Sequence, residues 1–258
     1  LTSKNEVKIL ATHSIRDYNL ESKDTSDHQY HYNFDTVLRQ FMMRSFKPFM
    51  VSGKALEMGC FRGEVTDLLL QHYSDLTVIE ASDELIQSAQ QRVGNAARFV
   101  HSRFETYETE ERYDALFLIH TLEHLDEPVS VLKKASSWLT TQGVFFIAVP
   151  NANALSRQIA VKMGLISNNS AVTEAERLHG HRCTYALDTL ERDARQAGLE
   201  VIHRGGIFLK PFANFQFDRL METEIISEGY LEACYQLGLQ YPDLSASIFL
   251  VCKRSQNQ

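Results

Sequence analysis

Three features of the sequence predict an α/β fold, a doubly wound and mostly parallel sheet of seven strands carrying helical lid insertions. Between residues 54 and 150, five apolar runs are interleaved with three helical patterns. The runs are continuously apolar, as in strands covered on both faces. The first of them ends in "ALEMGCFRGE", with glycines at 59 and 63. In such sheets a glycine turn beyond the first strand lets a ligand approach bare backbone, near the point where strand order reverses.

Taken in order, residues 1 to about 30 are polar and aperiodic and predict an N-terminal arm. "FDTVLRQFMMRSFKPFM" carries Phe34, Val37, Leu38, Phe41 and Met42 at helical spacing and predicts a helix ending near Pro48. The arm and helix (1–50) precede one domain over 51–258. There "KALEMG", "LTVIEAS", "ARFVHS", "YDALFLIHTL" and "GVFFIAVP" read as strands. "EVTDLLLQHY", "DELIQSAQQRV" and "PVSVLKKASSWL" read as helices. After Pro150 the rhythm breaks. "NANALSRQIAVKMG" and "LDTLERDARQAG" read as helices, the second closed by Gly198. "LEVIHRGGIFLKPF" and "ASIFLVCKR" read as two late strands, an antiparallel hairpin completing the sheet. The stretches at about 151–181 and 211–243 are expected to lie over the carboxyl edge as a lid.

The 258 residues suit one large domain able to bury a substantial core. The net charge of −7 argues against a nucleic-acid partner, which usually requires a basic stripe. Apolar runs fall short of the ~18 residues that span a bilayer, so no membrane partner is expected. "LTSKNEVKIL" does not read as a secretion signal. Cys60, Cys183, Cys234 and Cys252 form no CxxC pair and read as reduced thiols, which predicts a cytoplasmic protein.

The opening stretch constrains the ligand. Phe61 stands where a dinucleotide fingerprint has its middle glycine, and Glu57 would repel a phosphate and attract an ammonium group. Glu80 closes the second strand about twenty residues beyond the glycines, where an acid accepts hydrogen bonds from a ribose diol. Phe104 and Glu105, after the third strand, are placed to meet an adenine. A ribose and an ammonium without phosphate describe S-adenosyl-L-methionine.

With these pieces together, residues 53–150 resemble the class I S-adenosylmethionine-dependent methyltransferases, whose fold is a Rossmann-like seven-stranded sheet. "LEMGCFRG" resembles their first motif, "VIEAS" their acidic second-strand end, and "YDALFLIHTLEHLDEP" their fourth strand and following loop. "VPNANALSR" and "HGHRCTYALDTLERDARQAGL" resemble the next segment of the small-molecule branch, which includes ubiquinone-pathway O-methyltransferases and sugar methyltransferases. The resemblance implies S-adenosyl-L-methionine as cofactor. It places Glu57, Gly59 and Cys60 at the methionine end, with Gly63 allowing the turn. Glu80 would hold the ribose, Ala81, Phe104 and Glu105 would border the adenine, and His120 would border the sulfonium. The residues alone leave open plain turn glycines at 59 and 63, and a dipole-favoured helix acid at Glu80.

Methyl transfer from a sulfonium needs a positioned acceptor and a dry site, and a hydroxyl acceptor also needs a base. The candidate bases are His120, His124, His179 and His181, each of which alternatively fixes a loop. No metal is expected. Asn151 and Asn153 are candidates to bind a polar acceptor or to shape a turn. Arg157 and Arg182, with Lys162, Arg177, Arg204 and Lys210, are candidates to grip an anionic acceptor group or are surface charges. Arg44, with Tyr30 or Tyr32, is placed to pair the methionine carboxylate, and Tyr32 also to meet the acceptor. Phe208, Phe212, Phe215 and Phe217 are pocket wall or core. The expectation is O-methylation of a polar small molecule such as a sugar, a nucleotide sugar or a secondary-metabolite intermediate, by a monomer or homodimer. The alternatives are methylation of a small amine, of RNA or of protein, and a non-catalytic cofactor-binding module. An NAD-dependent oxidoreductase is disfavoured by Phe61 and Glu57.

Overall fold

Each apolar run between polar breaks becomes a strand, and each stretch with an apolar stripe of 3.6-residue period becomes a helix. The computed structural model of the protein describes residues 16–21, 23 and 31–255. Tyr30 and the rest of the expected arm (1–15, 22 and 24–29) lie outside the described residues. α1 (Tyr18–Glu21) is a single turn, and α2 (Asn33–Phe46) continues into a 3-10 turn over Lys47–Phe49. Then follow β1 (Lys54–Met58), α3 (Glu64–Leu70), β2 (Asp75–Glu80), α4 (Asp83–Val93), β3 (Arg98–His101) and β4 (Tyr113–Ile119). A 3-10 turn at Leu122–His124 leads to α5 (Pro128–Ser136) and β5 (Leu139–Pro150). The remainder is α6 (Leu155–Lys162), α7 (Glu174–Leu178), α8 (Leu187–Gln196), β6 (Leu199–Ile207), α9 (Asn214–Met221), α10 (Glu228–Gln240) and β7 (Ser247–Arg254).

The seven strands form one sheet in the order β3-β2-β1-β4-β5-β7-β6. β1 pairs in parallel with both β2 and β4, and β2–β3 and β4–β5 are also parallel. β7 runs antiparallel between β5 and β6. The sheet is therefore the expected one, with a single reversed strand. The two late strands do not close a tight hairpin, because α9 and α10 separate them in sequence. Strand order reverses between β1 and β4, and the site opens at their carboxyl ends.

Side chains alternate across the sheet with period two. Leu56, Met58, Leu116 and Leu118 join α5 and α8 in one core through Leu132, Trp138 and Leu190. Ala55, Val78, Phe117 and Phe146 join α2, α3, α9 and α10 in the other through Phe34, Leu69, Phe217 and Tyr235. Phe208 and Phe217 prove to be core. Phe217 stacks on Phe34 at 4.2 Å, and both are fully buried, whereas Phe212 and Phe215 are exposed. By the same alternation Glu57 falls on the α3 face of β1, among apolar neighbours.

The stretch after α6, which reads as irregular in the sequence, contains α7. Thr173 Oγ1 accepts from the Glu176 N–H, and the Glu176 carboxylate accepts from the Thr173 N–H at 2.8 Å. This is a capping box, visible in the sequence as Thr-x-x-Glu. Among the described residues, no helix is long and apolar enough to cross a membrane.

Gly63 caps α3 at φ 79°, and a Cβ there would stand 2.9 Å from the Ala89 Cα. A left-handed backbone costs a residue with a side chain about 1–2 kcal/mol, and the clash with α4 adds to it. Gly63→Ala is expected to lower the urea-unfolding free energy by about 2 kcal/mol or more. An unchanged midpoint and slope would show that this turn tolerates another conformation.

Candidate functional site

A cavity of about 330 Å³ opens over the carboxyl ends of β1, β2 and β4. That is at the lower end of the range for small-molecule pockets. Its floor is the β1–α3 turn. Gly59 has φ 83°, and a Cβ there would lie 2.7 Å from Thr121 Oγ1. The turn can therefore pass under the β4 loop only without a side chain at this position. Phe61 adopts φ 49°, a backbone that favours glycine. Its ring stacks against His31 at 5.8 Å and lies under the guanidinium groups of Arg62 and Arg39 at 5.0 and 5.7 Å. Gly63 supports the turn from outside the cavity lining.

Two carboxyls frame this floor. Glu57 is 2% exposed, and its Oε2 accepts from Thr66 Oγ1 at 2.6 Å. Its Oε1 has no hydrogen-bond partner among the described residues. Burial, reinforced by the charge of Glu80, pushes the Glu57 carboxyl up to about 8 against the Thr66 hydrogen bond. Glu80 is held by backbone. Its Oε1 accepts from the N–H groups of Ala81 and Ser82 at 2.7 and 2.9 Å, and its Oε2 from Cys60 N–H at 3.1 Å. It thereby ties the β1 turn to the end of β2. Two donors already occupy Oε1, so a further donor would come to Oε2. Cys60, Ala81 and Phe104 also line the cavity, and burial pushes the Cys60 thiol up and keeps it protonated.

The opposite wall is rich in imidazole. His120, His124, His179 and His181 all line the cavity. His120 sits at the tip of β4 at φ 49°, with Nε2 2.9 Å from Ser247 Oγ. Burial lowers it to about 3, and nearby Arg39, His181 and Lys210 act in the same direction. Burial also pushes His124 well below its ordinary value and His181 down to about 4. All three are neutral at pH 7. The rings of His124 and His181 meet edge to face at 4.5 Å. Beside them Glu123 is buried, and burial raises its carboxyl to about 8. His179 brings its Nδ1 to 3.3 Å from the Glu21 carbonyl. Arg16, Tyr18 and Glu21 form a strap over this side. Arg16 donates to the His124 carbonyl at 2.7 Å and pairs with Glu21 at 2.6 Å.

Several sequence expectations are corrected. Arg44 does not reach the cavity. It is exposed, pairs with Glu232 at 2.5 Å and lies over the Tyr235 ring at 4.6 Å. Arg39, five residues earlier and thus about 140° around the helix, lines the cavity instead and pairs with Glu64. Glu105 is not in the cavity lining. Its carboxylate pairs with Arg103 at 3.4 Å, while Phe104 takes the inner position. Asn151, Asn153, Arg157 and Arg182 are likewise absent from the lining, because their hydrogen bonds are used in folding the segments above the sheet. Asn151 Nδ2 donates to the carbonyls of Asp243 and Ser245 at 3.0 and 2.8 Å, and Asn153 accepts from Asn169 at 3.2 Å. Arg157 donates to the Asn169 carbonyl and pairs with Glu176 at 2.6 Å. Arg182 pairs with Asp126 at 3.0 Å and Glu21 at 3.5 Å. Tyr32 does line the cavity, and so does Lys210. Burial lowers the Lys210 ammonium to about 8, and its Nζ donates to Asn214 Oδ1.

A family model described as a methyltransferase domain matches residues 27–204. Among curated proteins, (S)-coclaurine N-methyltransferase of Papaver somniferum is 43% identical over 42 residues, 16% of this chain and 12% of that protein. Ubiquinone biosynthesis O-methyltransferase of Haemophilus ducreyi is 24% identical over 117 residues, 42% of this chain and 50% of that protein. The chain thus spans half or less of the length of these two relatives. Among solved structures, N-methyltransferase NodS of Bradyrhizobium japonicum, in complex with S-adenosyl-L-homocysteine, shares the fold with a TM-score of 0.56 at 14% identity. That match covers 92% of this chain and 95% of NodS.

A carboxyl whose folded value of about 8 exceeds its ordinary 4.5 binds a proton in the folded state throughout that window. Stability therefore falls as pH rises from about 4.5 to about 8. Histidines lowered to about 3 and 4 act oppositely, and their contribution is lost as pH falls below the ordinary 6.5. Glu57→Gln is expected to lose less stability than the unmodified chain between pH 5.5 and 8, measured by urea denaturation. Equal losses would show that Glu57 does not carry the proton.

Proposed function

We propose a function from the premise that the chain belongs to the methyltransferase-domain family and is a class I S-adenosylmethionine-dependent methyltransferase: O-methylation of a polar small molecule. The observation that carries this reading is the division of one cavity into a carboxyl-lined floor and an imidazole-lined wall. The floor suits the cofactor. Glu57 has a bare oxygen for an ammonium, Glu80 has spare acceptor capacity for a ribose diol, and Phe104 offers a flat apolar surface beside Ala81. Gly59 and Cys60 bring backbone close to the methionine end. When bound, the cofactor supplies an electrophilic methyl on a sulfonium.

The residues of the chain then have three tasks. Glu57 would give up its proton to hold the cofactor's ammonium. The apolar and neutral lining excludes water, so the acceptor is desolvated as it is positioned. His120, neutral at pH 7, would take up the proton that a hydroxyl acceptor loses on methylation. Its left-handed backbone is the kind of strain found at working sites. Lys210, with no carboxylate in ion-pair contact among the described residues, suits an anionic group on a sugar, nucleotide sugar or other biosynthetic intermediate. A small amine acceptor is the second reading, favoured by the N-methyltransferases among the similar proteins.

Incubation with methyl-labelled S-adenosyl-L-methionine and matched panels of hydroxyl and amine acceptors tests the reading. His120→Ala is expected to lower transfer to a hydroxyl by about 10²–10⁴-fold. Transfer to an amine that arrives neutral should change little. Cofactor binding with no transfer to any acceptor would favour a non-catalytic module. Transfer confined to RNA or protein would overturn the small-molecule assignment.

A further inference from the structure

Glu123, His124 and His181 converge where the reaction as described above uses none of them. The first two sit on the 3-10 turn after β4, and the third follows α7. Their candidate ligand atoms all lie within 4.8 Å of one another. All three residues line the cavity.

Close approach alone would suit a hydrogen-bonded cluster, but the geometry does not provide one. His124 Nε2 stands 4.0 Å from Glu123 Oε1, too far for a hydrogen bond. The two imidazoles meet edge to face, with no hydrogen bond between them among the described residues. Glu123 Oε2 is buried without a hydrogen-bond partner among the described residues. Such an oxygen is costly to bury unless something fills its place. Neither nearby guanidinium does so. Arg16 pairs with Glu21 and donates to the His124 carbonyl, and Arg182 pairs with Asp126 and Glu21. The Glu123 carbonyl is occupied by the Arg182 N–H at 2.8 Å, which fixes the segment bearing His181 against the β4 turn.

We propose that Glu123, His124 and His181 form a binding site for a divalent first-row transition metal of the Zn²⁺ or Co²⁺ kind, open on its cavity side to an oxygen of the acceptor. This departs from the sequence-based expectation of no metal. Two imidazoles and one carboxylate with open positions are a donor set for such ions, whereas Mg²⁺ prefers carboxylates, phosphates and water. The ion would satisfy the bare Glu123 oxygen and pull the acceptor oxygen toward ionisation beside His120. The acceptor role rests on the methyltransferase reading. The existence of the site does not.

The test uses the tag-free full chain after chelator dialysis. Calorimetry with Zn²⁺ is expected to show one equivalent bound, and Co²⁺ to give visible absorption bands of a protein-bound ion. Glu123→Gln and His181→Asn are each expected to weaken Zn²⁺ binding by more than about tenfold. Both variants should still bind S-adenosyl-L-homocysteine, which shows that they are folded and separates this site from the cofactor site. If either variant fails to fold, the other decides the matter, and Co²⁺ absorption in the unmodified chain stands independently. Absence of saturable Zn²⁺ binding, or binding that survives both substitutions, would overturn the proposal even if the cofactor binds normally.

Discussion

The carboxyl of Glu57, buried at the end of β1 with one oxygen bare, is the constraint around which the site is arranged. β1 lies between β2 and β4, where strand order reverses, so its end opens into the crevice rather than onto a neighbouring turn. The α3 face of β1 is otherwise apolar. Among the described residues only Thr66 hydrogen-bonds the Glu57 side chain, and burial holds a proton on it near neutrality. An unpartnered buried polar group costs about 1–3 kcal/mol, which an arriving cation recovers. The glycine at 59 and the Glu80 carboxylate serve this arrangement. One removes a side chain from the floor, and the other clamps the turn by accepting from Cys60 N–H.

The far wall follows the same physics with opposite sign. Burial favours neutral imidazole as it favours neutral carboxyl, so Glu57 and Glu123 stay protonated beside neutral histidines in one cavity. Their segments are held by ordinary structural bonds. Asn151 fixes the end of β5 to the turn before β7, Arg157 and Glu176 brace the chain around α7, and Arg16 laces the strap to the β4 turn. The polar residues with the best bonds therefore hold the scaffold. The unsatisfied oxygens of Glu57 and Glu123 face the ligand space, whereas Tyr73 Oη, also without a partner among the described residues, lies in the core.

The sheet was largely legible because its strands are unbroken apolar runs and its helices carry clear stripes and caps. The turn at Gly59 and Gly63 and the acid at Glu80 were legible for a related reason, since a fixed strand–turn–helix spacing allows few geometries. What failed depended on direction around a helix or on partners distant in sequence. Arg44 and Arg39 share α2, but only packing against α3 and α10 decides which one faces Glu64 and which faces Glu232. Asn151 and Arg157 look equally suited to a ligand until their backbone partners are known. The approach of His181 to Glu123 and His124 depends on the path of α7. The Thr173 and Glu176 capping pair is a local signal for the start of α7.

The most direct test is calorimetric titration with S-adenosyl-L-homocysteine at pH 7 in two buffers of different ionisation enthalpy. A Glu57 carboxyl raised to about 8 is mostly protonated at that pH and must ionise to hold an ammonium. The expected result is net release of protons on ligand binding, abolished in Glu57→Gln. Binding with no proton release, or with the same release from Glu57→Gln, would contradict it.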